Sequence, residues 1–166
     1  MGYVSGSVAK VGEIMHYWLM KSEPTAFSID DLINSPKQTS HWDGVRNYQA
    51  RNTMRDQMQV GDKAFFYHSS TNPPGIVGIM AIVKKAYPDF TAFDINDSHY
   101  DAGSKPENPR WFMVDVRFER KLKRLIPLEE LKQLAALQNL PLVKKGTRLS
   151  IMPMNEKEWQ AVLNIE

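Results

Sequence analysis

The sequence contains no cysteine in 166 residues. That excludes a disulfide framework, a thiol nucleophile, a thiolate zinc site and a cysteine-ligated iron–sulfur cluster. Excess charge is small as well. Twenty-one Lys and Arg face nineteen Asp and Glu, a net charge of +2, which is too little for a non-specific polyanion binder. Long apolar runs are missing. The longest, Ile76 to Val83, is interrupted by Gly78, whereas a membrane helix needs roughly 20 apolar residues, so no membrane partner is expected. The opening MGYVSGSVAKVGEI has neither the charged start nor the apolar core of a signal peptide. Local catalytic signatures are also absent: there is no Gly-x-Ser-x-Gly elbow, P-loop, Gly-x-Gly-x-x-Gly or His-Glu-x-x-His. The four histidines, His16, His41, His68 and His99, stand singly, so neither a metal nor another cofactor is expected.

What is present is an ordinary globular mixture, 42% hydrophobic, 24% charged and 10% aromatic, at a one-domain length. Residues 1–14 carry small residues and little apolar periodicity, and Met15 stands directly before the first dense segment. They read as a flexible extension, a cloning remnant or an upstream start, with the domain running over 15–166.

Strands and helices are mixed along that domain. His16 to Met20 is aromatic-rich and strand-like. Ser28-Ile29-Asp30-Asp31 has capping-box spacing and predicts a short helix through Leu32, followed by a polar loop to His41. From Tyr48, residues Ala50, Met54 and Met58 recur at four-residue steps until Gly61, an amphipathic helix with Arg51 and Arg55 on another face. Lys63–Ser69 and Ile76–Val83 flank Thr71-Asn72-Pro73-Pro74-Gly75 and predict a hairpin. The polar stretch 89–110 reads as a long functional or disordered loop. Trp111 to Phe118 alternates as a strand with one buried face. Leu125, Leu128, Leu131 and Leu134 step by three and predict a helix, and 147–152 predicts a strand. Asn155 to Glu158 is a second capping box, opening a last helix with Trp159, Val162 and Leu163 inward. The set is α+β: a small barrel or curved sheet with short helices around it.

Polar and aromatic groups gather at the predicted element ends: Lys21-Ser22 after the first strand, Trp42 to Asn47 before the Arg-rich helix, Tyr67-His68-Ser69 closing a hairpin strand, and Tyr100-Asp101 in the long loop. Aromatic faces stack on nucleobases while short polar groups satisfy base edges, so together they suit a pocket for one extruded base. Each also has a plainer reading: tryptophan as core, serine as cap, Asp43-Gly44 as turn. On composition and spacing alone the plainer reading is favoured.

The motifs YWLMKSEP (17–24), WDGVRNYQARN (42–52), FFYHS (65–69), PGIVGIMAIVKKAYPD (74–89), PRWFMVDVRF (109–118) and LSIMP (149–153) resemble the EVE domain family in content and order. The resemblance spans Tyr17 to the C-terminus. It implies a PUA-like small mixed β-barrel with peripheral short helices, a superfamily that includes YTH and SRA readers of methylated bases. It implies a non-catalytic module that recognises a modified base in DNA or RNA, cytoplasmic if bacterial and nuclear in eukaryotic members. By that resemblance Lys21 and Ser22 edge the pocket, Trp42 is its first aromatic wall, and Asn47 follows in the same segment. Tyr67, His68 and Ser69 border the cavity, and Tyr67 or Tyr48 serves as second wall. Asp101 joins the candidate pocket from the residues alone, as part of Tyr100-Asp101 in the long polar loop. Arg46, Arg51, Arg55, Lys84 and Lys85 are candidates for phosphate contact, although most such cations are expected to be plain solvated charges. Two alternatives stay open: an enzyme acting on a nucleotide or modified base through His68, Ser69 and Asp101, and a protein–protein adaptor. Oligomeric state is left open.

Overall fold

The computed structural model describes residues 15–166, so the expectation for 1–14 lies outside the described residues. The strands are β1 (Tyr17–Ser22), β2 (Thr39–His41), β3 (Lys63–His68), β4 (Gly75–Pro88), β5 (Phe112–Pro127) and β6 (Ile151–Met154). The helices are α1 (Ile29–Ile33), α2 (Tyr48–Asp56), α3 (Leu128–Leu131) and α4 (Glu156–Leu163). The strands form one mixed sheet in the order β2-β5-β4-β3-β1-β6. β1 and β3 run parallel, Lys21 opposite Tyr67 and Ser22 opposite His68, and the other neighbours are antiparallel.

Period-two alternation sends neighbouring residues to opposite faces, and both faces are covered. Trp18, Met20 and Phe66 enter one core with Met54 and Met58, below α2, while Leu19 and Phe65 enter the other with Trp159 and Val162 of α4. Phe65 and Trp159 stack at 3.8 Å between centroids. A fully buried side chain of this kind contributes on the order of 2 kcal/mol from apolar burial.

Local sequence accounts for several elements. Ser28 Oγ accepts from the Asp31 amide at 3.1 Å and the Asp31 carboxylate accepts from the Ser28 amide at 2.9 Å, closing the predicted box. Asn155 and Glu158 repeat this at α4, both at 2.8 Å. The β3–β4 hairpin forms where the turn residues predict it. Gly75 is required in it, because a Cβ would lie 2.3 Å from the Ile126 carbonyl oxygen.

Other expectations are corrected. The sheet does not close into a barrel: among the described residues β2 and β6 are its two edges. β2 lies in the segment expected to be a polar loop and is held by pairing with β5. The predicted helix from Leu125 shrinks to α3, because β5 continues through Pro127 with Ile126 opposite Ile76 and Gly75 opposite Pro127. Strand pairing overrides the three-residue leucine spacing there. Helix α2 ends at Asp56, before Gly61, and the last strand begins at Ile151.

Candidate functional site

Asp89, at the end of β4, has no solvent exposure and organises the loop that follows β2. Its carboxylate accepts from the Gly44 amide at 2.8 Å, from Arg46 at 3.0 Å, and from the Thr91 amide and hydroxyl at 2.9 and 2.5 Å. Burial pushes its pKa up, but the Thr91, Gly44 and Arg46 bonds outweigh burial and hold the carboxyl below the usual range. The guanidinium of Arg46 also donates to the His99 carbonyl at 2.7 Å, tying the 42–46 loop to the polar 89–110 stretch. Gly44 sits at φ +79°, and a Cβ there would be 2.5 Å from His99 Nε2. The long stretch is therefore ordered: Asp94, Asp97 and Asp101 each accept an amide two residues on.

This loop walls a cavity of about 570 Å³. Lys21 and Ser22 close one side, Trp42, Asp43 and Gly44 another, with His99 at the margin. Ser22 Oγ donates to the Phe27 carbonyl at 2.7 Å. Trp42 is 5% exposed and meets Phe66 edge-on at 5.2 Å, so most of the indole is core and only part of it faces the cavity. Charges of both signs complete the lining: Lys21, Asp43 and Arg46, each half-buried, and the exposed Glu23. Burial lowers the pKa of Lys21. Burial raises that of Asp43, partly opposed by His41, whose Nε2 lies 3.7 Å from the carboxylate. Chemically the cavity offers an aromatic edge and a carboxylate acceptor, bordered by Lys21, whose ammonium lies over the Tyr67 ring, within a volume suited to one small planar ligand.

The structure brings Lys21, Ser22, Trp42 and Arg46 to this cavity. It places the other residues singled out by sequence elsewhere. Asn47 caps α2 by accepting from the Ala50 amide at 2.9 Å. Tyr48 is exposed and stacks on Trp111 at 4.8 Å. Tyr67 is buried beneath Lys21, and burial pushes its hydroxyl up to about 12. His68 Nε2 accepts from the Ile29 amide at 3.1 Å at the start of α1. The Ser69 amide donates to the Ser22 carbonyl at 3.0 Å. Asp101 accepts from Trp111 Nε1 at 2.6 Å and from Arg110 at 3.1 Å. Among the phosphate candidates, Arg51 donates to Asn52 and the Arg110 carbonyl and Arg55 pairs with Asp56, while Lys84 lies 4.0 Å from the Tyr87 ring centroid and Lys85 is exposed.

The sequence alone gives no sign of His41, His99 and Asp89 as site residues, and it offers Asp43 only within the Trp42 to Asn47 segment, with a turn as the plainer reading. The Asp89–Arg46 contact spans 43 positions with no local mark. Among the described residues no cluster of three or more His, Asp or Glu side chains could hold a metal, and no helix is long and apolar enough to cross a membrane.

The family model of the EVE domain matches residues 16–165. Human thymocyte nuclear protein 1 is 51% identical over 167 residues, covering 90% of this chain and 73% of that protein. The crystal structure of human THYN1 protein in complex with 5-methylcytosine containing DNA superposes with a TM-score of 0.86 at 50% identity, covering 90% of this chain and 96% of that one. The YTH domain of Zygosaccharomyces rouxii MRB1 protein, solved with N6-methyladenosine RNA, shares the fold at a TM-score of 0.53 and 10% identity, covering 91% of this chain and 86% of that one.

Proposed function

This chain belongs to the EVE domain family, and on that premise we propose that it is a binding module that holds one modified nucleobase, drawn out of a nucleic-acid strand, in the cavity beside Trp42. The observation that carries this reading is the meeting of Lys21, Ser22 and Trp42 in one cavity. The relative bound to 5-methylcytosine DNA supports a methylated cytosine in DNA as the first ligand to test.

The energetics fit recognition. Extruding a base costs a few kcal/mol, and contact with the exposed part of the Trp42 indole returns less than the ~1–3 kcal/mol of a full base–aromatic stack. A buried methyl group adds about 0.8 kcal/mol. Selectivity then rests on polar matching, since a wrong base leaves a buried partner unpaired. Asp43 suits the exocyclic amino group of cytosine, which is a donor.

Binding without turnover is supported by the state of the candidate acid–base groups. His68 already accepts a helix amide and Asp101 already accepts the Trp111 indole N–H, so neither is aimed at the cavity. A domain starting at about Met15 and a place among PUA-like folds, as an opened relative of the barrel, complete the proposal. The fold-level likeness to a YTH domain supports the latter.

The test is titration of a short duplex carrying one 5-methylcytosine against its unmodified twin, at two salt concentrations. Tighter binding of the methylated duplex, with the preference weakened in Ser22→Ala and Asp43→Asn, is the expected result. Equal affinity across a panel of modified duplexes and single strands would remove the reading.

A further inference from the structure

A second cavity, of about 590 Å³, adjoins the first at Lys21, which lines both. Its character is different. Lys21, Lys132, Lys144 and Lys145 line it, together with Leu128 and Tyr67. The cations are concentrated by sequence: between Leu131 and Asn155 there is no Asp or Glu, while Lys132, Lys144, Lys145 and Arg148 all fall there. In a chain whose net charge is only +2 this is a pronounced local excess. Counter-charge is sparse. Lys132 reaches Glu129 at 3.6 Å, but that glutamate is largely solvated, so the pair screens little. The Lys21 ammonium lies over the face of Tyr67, 5.7 Å from the ring centroid, a neighbour that supplies no neutralising charge. Lys144 and Lys145 extend from an exposed turn that ends at Gly146, at φ +80°.

Clustered ammonium groups around a concave surface raise the local concentration of anions and suit phosphodiester oxygens as point-charge partners. The position argues for a strand over a free anion. A base held beside Trp42 must remain attached to its sugar and phosphates, and these must leave through a wall of the first cavity. Lys21 is a wall residue that also opens onto the lysine-lined space. Its main-chain amide is fixed to the Ser150 carbonyl at 2.8 Å, and Ser150 lines the first cavity, so the two spaces share a rigid boundary.

We infer that the lysine-lined cavity takes the phosphodiester backbone next to the extruded base, with Lys132, Lys144 and Lys145 neutralising phosphates and Lys21 joining the two sites. This rests on the base-binding reading, and it assigns the phosphates to lysines outside those that sequence spacing suggests.

The experiment is a salt titration of duplex affinity for the wild type, for Lys132→Ala/Lys144→Ala/Lys145→Ala, and for a control, Lys37→Ala/Lys157→Ala, whose residues line neither cavity. The lysines of both variants are exposed, so the fold is retained, which a thermal melt verifies. The slope of log affinity against log salt should shrink by about 0.9 for each phosphate that is no longer neutralised. Affinity for methylated and unmodified duplexes should fall together, about tenfold or more, with their ratio kept, and the control should hold the wild-type slope. An unchanged slope in the triple variant would overturn the inference. So would a collapse of the ratio with the slope intact, which would make these lysines part of base selection. Binding of inorganic phosphate that is abolished in the triple variant, while the duplex is neither displaced by phosphate nor weakened by the substitutions, would assign the cavity to a free anion and overturn it too. A wild type with no methyl preference but a reduced slope in the triple variant would remove the base reading and leave the phosphate site standing.

Discussion

The carboxylate of Asp89 and the guanidinium of Arg46 meet at 3.0 Å beneath the loop that carries Trp42 and Asp43, with Asp89 wholly buried and Arg46 24% exposed at its side chain. The pair is what gives the candidate site its shape, since the same carboxylate holds Gly44 and the same guanidinium holds His99. Removing one partner of a buried pair costs about 3–5 kcal/mol, less where one partner keeps some water. Asp89→Asn should therefore lower unfolding stability by about 2–4 kcal/mol in urea melts.

The same group sets an acid limit. Its folded pKa is depressed, so its stabilisation is fully present above the unfolded carboxylate value, near 4, and is lost as pH falls through the folded value. Urea midpoints measured from neutral pH downward should fall more steeply through this acid window in the wild type than in Asp89→Asn.

Gly44 is confined by both conformation and neighbour. An alanine at φ +79° costs about 1–2 kcal/mol, and its Cβ would overlap His99 at 2.5 Å. Gly44→Ala should lose more than the conformational cost alone. Adding His99→Ala should recover the overlap part and leave the rest, which a double-mutant cycle by urea unfolding will resolve.

His68 acts as an acceptor for the first amide of α1, and burial, with a smaller opposing pull from Asp30, lowers its pKa. The folded state thus favours the neutral imidazole. Its contribution is present above the free-histidine pKa, near 6.5, and is lost as pH drops through the lowered value. His68→Gln keeps an acceptor and does not titrate, so its unfolding midpoint should be flatter than that of the wild type over mildly acidic pH.

Asp43 carries a pH signature at the site itself. Burial raises its pKa, so it takes up a proton before an ordinary carboxyl does and then ceases to be a pure acceptor. Affinity for a methylated cytosine duplex should weaken as pH falls toward that raised value, and Asp43→Asn should remove the dependence. Fluorescence anisotropy across pH at fixed salt checks this.

How much of the molecule is legible in its sequence follows from range. The capping boxes at Ser28 and Asn155 and the hairpin around Pro73-Pro74 are written within a few residues, and the structure reproduces them. The parallel pairing of Tyr17–Ser22 with Lys63–His68 joins segments whose spacing carries no signal, and it alone sets Lys21 above Tyr67. The leucine spacing after Leu125 misleads because pairing of Ile126 with Ile76 decides that segment's conformation. At the site, Lys21, Ser22 and Trp42 are readable through family motifs, and they share a cavity. Asp101 reads as a pocket acid, yet it faces the Trp111 indole nitrogen, and composition cannot tell a free carboxylate from one already bonded. Arg46 reads as a phosphate contact on the same ground, and its partner Asp89 becomes visible only once the chain is folded.

Trp42 bears directly on how the central claim can be tested. Because the indole packs on Phe66 and Phe27, Trp42→Ala would open a core cavity at a cost of about 3–5 kcal/mol and confound binding with folding. The direct measurement is a crystal structure of the protein with a short DNA duplex carrying one 5-methylcytosine. In that structure the methylated base should lie out of the stack, in the cavity between Lys21, Ser22 and Trp42, with its amino group toward Asp43. A methylcytosine still paired within the duplex, or density for it away from that cavity, would contradict the account.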